Sequence, residues 1–329
     1  MVVADERLAA EAGVEVLRRG GNAVDAAVAV AFALAVTHPA AGNLGGGGFM
    51  LIRMADGGTL LVDYREVAPL AAHRDMYLDA EGNVAAEEST IGWLAAGVPG
   101  TVEGLELALR AYGTMSLAEV LAPAIRLAEK GFPVSERLAR ELRGAAPHLE
   151  RFPESRKIFL RKGRFYQPGD IFKQKNLAKT LKKIARGGAR EFYEGSIARR
   201  LAKEMRRHGG LITEEDLGRY RARLREPLRG TFRGYEILSA PPPSSGGVAV
   251  LEMLNILNPL LPAPSRSFGT APAGAQAHAP ETVHLVAETM RRAFADRARF
   301  LGDADFARVP VQGLLDPRYA EEHRATIDL

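Results

Sequence analysis

The sequence predicts a layered domain of the α/β or α+β class, with helices packed around a few buried strands. Two observations carry this expectation. Residues 97–220 read as helix after helix, several of them closed by glycine. Strand character is confined to short segments near 46–66 and 227–240. Such strands are too few to complete a core sheet, which points to part of the sheet lying outside the chain.

The first helix is expected in "DERLAAEAGVEVLRRGG" (5–21), with Asp5 as its cap and Gly20-Gly21 as its stop. Asn22 can cap the next helix, which holds the alanine-rich run "AAVAVAFALAV" (26–36). That run is too short to span a bilayer and reads as a buried core helix. "FMLIRM" (49–54) and "GTLLVDYRE" (58–66) flank Asp56-Gly57, a hairpin signal, and their apolar character predicts burial on both faces.

Helices follow at 97–113, 116–131, 135–144 and 196–210, and "TEED" (213–216) fits a capping box. "PLRGTFRGYEILSA" (227–240) returns to strand, "PPPSSGG" (241–247) is loop, and 248–257 is helical. Residues 262–280 predict a long loop. A last long helix over about 281–301 places Val283, Val286, Met290, Phe294 and Leu301 on one stripe.

The totals exclude several chemistries. The 329 residues carry no cysteine, so there is no disulfide, thiolate nucleophile or cysteine metal site. Absence of cysteine fits cytoplasm or periplasm equally. The net charge of +4 is too small to imply a nucleic-acid partner. No membrane span is expected, and no leader pattern is read at Met1-Val2-Val3.

Each candidate motif has a bland alternative. Gly45–Gly48 lead into a strand, with no Gly-Lys-Ser/Thr and no helix, so a phosphate loop is disfavoured. Close backbone packing, with or without a substrate alongside, is the better reading. The seven histidines show no pair at metal-ligand spacing, so no metal is expected. Ser244-Ser245 lacks the glycine of a nucleophile elbow and reads as a helix cap.

Residues 151–190 hold thirteen Lys and Arg against two acidic residues, with Phe159, Phe165, Tyr166 and Phe172 interleaved. That pattern suits polyanion binding, but equally a solvated face over packed aromatics. Asp63, Arg65 and Glu66 end an otherwise buried strand, which makes either a solvated exit or a site.

In combination the motifs are specific. "GGNAVDAAVA" (20–29), "HPAAGNLGGGGFM" (38–50), "DYREVAP" (63–69), "GVPGTVEG" (97–104), "LAPAIRLAEKGFPVS" (121–135), "PPPSSGG" (241–247) and "RRAFADRARFLGD" (291–303) stand in the order found in γ-glutamyltranspeptidases. The chain resembles the large subunit of that family, residues 1–329 throughout. The resemblance implies an α+β, four-layer αββα sandwich of the N-terminal-nucleophile hydrolase superfamily, with its sheets completed by a separate small subunit.

It further implies a precursor that cleaves itself. The small subunit's N-terminal threonine then acts as nucleophile, so no catalytic residue is expected in this chain. Arg65 matches the arginine that binds the α-carboxylate of the γ-glutamyl group. Glutathione or related γ-glutamyl compounds are the implied substrates, and water, an amino acid or a peptide the acceptor. No cofactor is implied, and the implied location is periplasmic or extracellular. A cephalosporin or glutaryl acylase, or a poly-γ-glutamate depolymerase, on the same scaffold is the near alternative. A non-catalytic polyanion-binding module is the distant one.

Overall fold

The computed structural model describes residues 1–85, 87–161, 164–260 and 279–328. The expected loop at 262–280 falls outside the described residues for almost all its length. The chain divides into two compact units, one of Met1–Met50 with Val62–Arg223, the other of Leu51–Leu61 with Leu224–Leu329.

The first unit is built on helices α1 (Arg7–Arg18) and α2 (Ala23–Thr37). Glu6, one position later than expected, caps α1 by accepting from the Leu8 N–H at 2.7 Å. Asp5 is instead engaged by Arg137 at 3.0 Å. Asn22 caps α2 as its sequence position predicts, in a reciprocal capping box with Asp25. Val28, Ala29, Phe32, Ala33 and Val36 of α2 are fully buried. Small side chains on this helix let its neighbours approach closely.

Against this core pack α3 (Thr101–Tyr112) and α4 (Leu117–Lys130), followed in the chain by α5 (Glu136–Gly144), α6 (Ala146–Leu149) and α7 (Pro153–Phe159). Then come α8 (Lys175–Tyr193), interrupted at Gly188 (φ 67°), α9 (Ser196–Arg207) and α10 (Glu214–Arg219). Thr213 caps α10 in the expected box with Asp216, which also accepts from the Leu70 N–H at 2.6 Å.

β1 (Phe49–Arg53) and β2 (Thr59–Asp63) form the predicted hairpin. Hydrogen bonds join Gly48 to Tyr64 and Met54 to Gly58, and Gly57 at φ 90° makes the turn. Burial on both faces holds for Leu61 and Val62 of β2 but not for β1, where Leu51 is 43% exposed. β1 is the outer strand in the order β1-β2-β5, with β5 at Arg223–Arg225, so it has a partner on one side only. Two short strands absent from the sequence reading, β3 (Phe132–Pro133) and β4 (Ile171–Phe172), pair antiparallel.

The second unit contains a hairpin where one strand was expected. β6 (Leu228–Phe232) and β7 (Tyr235–Ser239) pair antiparallel, from Leu228 opposite Ser239 to Phe232 opposite Tyr235. Arg233 (φ 53°) and Gly234 (φ 82°) turn the chain. Positive φ at both central residues marks the primed turn of tight hairpins, here with arginine in the place usually held by Asn or Asp.

Helix α11 (Ser245–Leu257) starts earlier than predicted, capped by Ser244, and is followed by α12 (Pro280–Phe300), α13 (Val311–Leu314) and α14 (Pro317–Arg324). On α12, Val283, Val286, Met290 and Phe294 are exposed. The buried face carries Leu285, Thr289, Arg292, Ala293 and Asp296 instead. Arg292 donates to Thr326 and to the His323 carbonyl, and Asp296 accepts from Tyr319, so polar pairing turns that face inward.

Asp25 is the polar anchor of the first unit. It is 0% exposed and accepts from the Asn22, Thr114 and Met115 N–H groups and from the Thr114 hydroxyl. Burial pushes its pKa up, but the hydrogen bonds from Thr114, Asn22 and Met115 outweigh that and hold it below the usual 3.8. Asp25→Ala should cost about 3 kcal/mol in urea unfolding, because the donors stay buried. A depressed folded pKa contributes stability above the unfolded value and loses it as pH falls through the folded one. The gap between wild type and variant should therefore be constant above about pH 5 and shrink below the unfolded aspartate value.

Candidate functional site

Asp63, the last residue of β2, is buried, and the chain emerges at Tyr64-Arg65-Glu66. The turn is fixed from both sides. The Arg65 N–H donates to Asp63 Oδ1 at 3.1 Å, and the Arg65 carbonyl accepts from the Tyr220 hydroxyl at 2.9 Å. Tyr220 in turn stacks on Tyr193, their ring centroids 5.5 Å apart and 11° from parallel. Burial pushes the Tyr64 phenol up to about 12, so it is neutral at physiological pH.

The glycine run packs against this segment. Gly48 exchanges two backbone hydrogen bonds with Tyr64. A Cβ on Gly47 would stand 2.9 Å from Arg65 Cα and 2.8 Å from the Glu66 nitrogen. The Gly46 carbonyl accepts from the Gly100 and Thr101 N–H groups, at 2.8 and 3.0 Å. The Gly46 N–H donates to Asn43 Oδ1, which also accepts from the Thr101 hydroxyl at 2.6 Å. The run is thus a backbone-to-backbone contact, as the missing Gly-Lys-Ser/Thr pattern led one to expect.

The Arg65 side chain stands free of that packing. It is 54% exposed, with Nε 3.7 Å from Glu66 Oε2 and its guanidinium 5.6 Å from the centre of the Phe49 ring. Among the described residues neither terminal nitrogen has a hydrogen-bond partner. A planar fork of donors held at its base and open at its tip is suited to bidentate capture of a carboxylate. The sequence names Arg65 as the candidate; it does not show that Tyr220, 155 positions away, fixes its carbonyl.

Other motifs resolve into structural roles. Ser244 Oγ accepts from the Gly246 N–H, and Ser245 Oγ accepts from Arg297 at 2.9 Å. Neither serine is bonded to a general base among the described residues. Phe172 is fully buried against Phe132, Phe159 and Tyr166, at centroid distances of 5.7, 6.0 and 5.0 Å. Most aromatics of the basic stretch therefore pack inward. Several of its cations are paired, Arg151 with Glu87, Arg161 with Asp170 and Lys182 with Glu129. A cavity of about 1060 Å³ in the first unit is bordered by Asn43, Lys157, Lys173, Lys179, Lys183 and Arg200.

The histidines separate in the same way. His38 is buried, with Nε2 3.2 Å from Asp5, and His208 stacks on Trp93 at 4.5 Å. In the second unit His323 joins Glu252 and Asp296, residues too far apart in sequence for any spacing rule to group. Burial and the neighbouring Asp296 push the Glu252 carboxyl up to about 8.

The family model described as Gamma-glutamyltranspeptidase matches residues 9–329. The chain belongs to the γ-glutamyltranspeptidase family. It is 47% identical, over its whole length, to the glutathione hydrolase proenzyme of Escherichia coli (strain K12), of which it covers 55%. It is 43% identical over 99% of its length to the acylase ACY 1 proenzyme of Pseudomonas sp. (strain V22), covering 58% of that protein.

The chain therefore spans little more than half the length of these curated relatives. Its fold matches the crystal structure of Helicobacter pylori γ-glutamyltranspeptidase with a TM-score of 0.93 and 46% identity, covering 100% of this chain and 91% of that one. This likeness establishes the α+β class and the N-terminal-nucleophile hydrolase architecture.

Gly47→Ala should force the Arg65 segment away from the glycine run. Overpacking of this kind costs about 1–3 kcal/mol, read as a lowered Tm. Gly45→Ala, where nothing stands within 4 Å of the added carbon, should leave Tm nearly unchanged.

Proposed function

We propose that this chain is the large subunit of a heterodimeric γ-glutamyltranspeptidase, acting on glutathione and related γ-glutamyl compounds. The observation that carries the reading is the open Arg65 guanidinium on a rigid turn, in a chain of this family. A γ-glutamyl compound carries a free α-carboxylate at the end opposite its scissile amide. A planar guanidinium can take both oxygens of that group, which a lysine ammonium cannot do. Arg65 then fixes the distance from the carboxylate to the γ-carbonyl, and so positions the carbonyl for attack.

The attacking hydroxyl comes from the N-terminal threonine of the small subunit, whose α-amine takes the proton. A γ-glutamyl ester forms on the threonine as the amine leaves. Water or the amine of an amino acid or peptide then takes up the γ-glutamyl group. Both subunits arise from one precursor in this reading, as the word proenzyme in the relatives' names suggests. The exposed apolar stripe Val283, Val286, Met290 and Phe294 supports a companion polypeptide, since apolar rows of this kind mark interaction surfaces.

No metal or cofactor takes part in this chemistry. No helix among the described residues is long and apolar enough to cross a membrane. A periplasmic or extracellular location goes with the family reading.

The acylase reading has its own support in the similarity to an acylase proenzyme. Glutaryl and γ-glutamyl groups both present carboxylates, so Arg65 suits either, and only the α-amino group separates them. The enzyme should hydrolyse a γ-glutamyl anilide and leave a glutaryl anilide nearly untouched; the reverse preference would favour the acylase. Arg65→Gln should raise KM for the γ-glutamyl anilide by about 10–100-fold, since one charge-assisted hydrogen bond contributes about 1.5–3 kcal/mol. Self-cleavage of the precursor should persist, as followed by gel and intact mass. Unaltered kinetics in that variant would remove the carboxylate role.

A further inference from the structure

Three helices of the second unit bring two carboxylates and an imidazole to one point. Glu252 comes from α11, Asp296 from α12 and His323 from α14, and one ligand atom of each lies within 4.8 Å of the other two. His323 Nε2 is 2.9 Å from Asp296 Oδ2 and 3.8 Å from Glu252 Oε1. We propose that Glu252, Asp296 and His323 bind one divalent transition-metal ion of the zinc type.

The condition of Glu252 points to a ligand. The residue is 1% exposed, and its Oε1, turned toward His323, has no hydrogen-bond partner among the described residues. A buried carboxylate oxygen without a partner is costly, and a second carboxylate beside it raises the cost further. Among the described residues no lysine or arginine forms an ion pair with Glu252 or Asp296. The nearby Arg292 is committed to Glu288 and Thr326. A dication between the carboxylates would neutralise both and satisfy Oε1.

The geometry suits a small ion. Zinc binds imidazole nitrogen and carboxylate oxygen at about 2.0–2.2 Å, so adjacent ligands of a tetrahedral site stand about 3.4 Å apart. The two separations on His323 lie on either side of that figure. An O, O, N donor set with histidine selects zinc-type metals over calcium or magnesium, which prefer oxygen throughout. Asp296 is held in place from outside the set by the Tyr319 hydroxyl at 2.7 Å, the kind of outer contact that orients a metal ligand. A bound ion would tie α11, α12 and α14 together, so its role is structural. None of these residues belongs to the Arg65 segment, and the inference is independent of the proposed activity.

The test uses the protein produced from its full precursor, stripped with a chelator and dialysed metal-free. Calorimetric titration with Zn²⁺ should show one ion per chain, Co²⁺ should give the visible absorption of a low-symmetry site, and Tm should rise by several degrees with Zn²⁺. Glu252→Gln and His323→Gln should each weaken binding by about 100-fold and abolish the Tm response. Folding of the variants is checked by circular dichroism. If the wild type binds no more Zn²⁺ than the Glu252→Gln, His323→Gln double variant, the proposal is overturned. It is equally overturned if Glu252→Gln simply stabilises the protein while Zn²⁺ leaves the wild-type Tm unmoved, because the two carboxylates would then share a proton in place of a metal.

Discussion

Close contact between two stretches of backbone governs the candidate site. Gly47 and Gly48 lie against Tyr64, Arg65 and Glu66 at distances that leave no room for a Cβ on Gly47. The glycine run's carbonyls and amides bond to Gly100, Thr101 and Tyr64. Arg65 is consequently held by its main chain, through Asp63 on one side and Tyr220 on the other, while its half-exposed guanidinium touches only Glu66 and the Phe49 ring among the described residues. Fixing the base of a long cation reduces the freedom it loses on gripping a ligand. A flexible arginine on a mobile loop would lose more on binding and would position a substrate carbonyl less sharply.

The polar interior serves the same end at larger scale. Asp25 ties the start of α2 to the turn between α3 and α4, and Asp216 ties α10 to the chain at Leu70. Both carboxylates are buried, and both are held below the ordinary aspartate range by the hydrogen bonds they accept, against the opposing pull of burial. Glu252 in the second unit behaves in the opposite way. It has burial and a like charge beside it, with no hydrogen-bond donor to its Oε1 among the described residues, and that imbalance is what a bound cation would relieve.

Much of the fold was legible from sequence because local rules sufficed. Asn22 and Thr213 cap helices as their positions predict, and Asp56-Gly57 makes the turn it signals. The family motifs single out Arg65 as a candidate, and the absence of a Gly-Lys-Ser/Thr pattern assigns the glycine run to close packing, which Gly47 and Gly48 show. The failures have physical causes. Arg233-Gly234 makes a tight hairpin turn without the usual Asn or Asp, so β6 and β7 read as one strand. Val283, Val286, Met290 and Phe294 obey helical periodicity but face outward, because Arg292 and Asp296 on the other face find buried partners. Glu252, Asp296 and His323 meet only in three dimensions, where no spacing rule reaches.

Recognition of one carboxylate by one guanidinium is measured directly by a thermodynamic cycle. The kcat/KM of wild type and Arg65→Gln is compared on a γ-glutamyl anilide and on the analogue in which hydrogen replaces the α-carboxylate. If Arg65 grips the α-carboxylate, wild type strongly prefers the carboxylate, the variant does not, and the coupling between the two changes reaches about 1.5–3 kcal/mol. Equal discrimination by both enzymes, giving zero coupling, would contradict it.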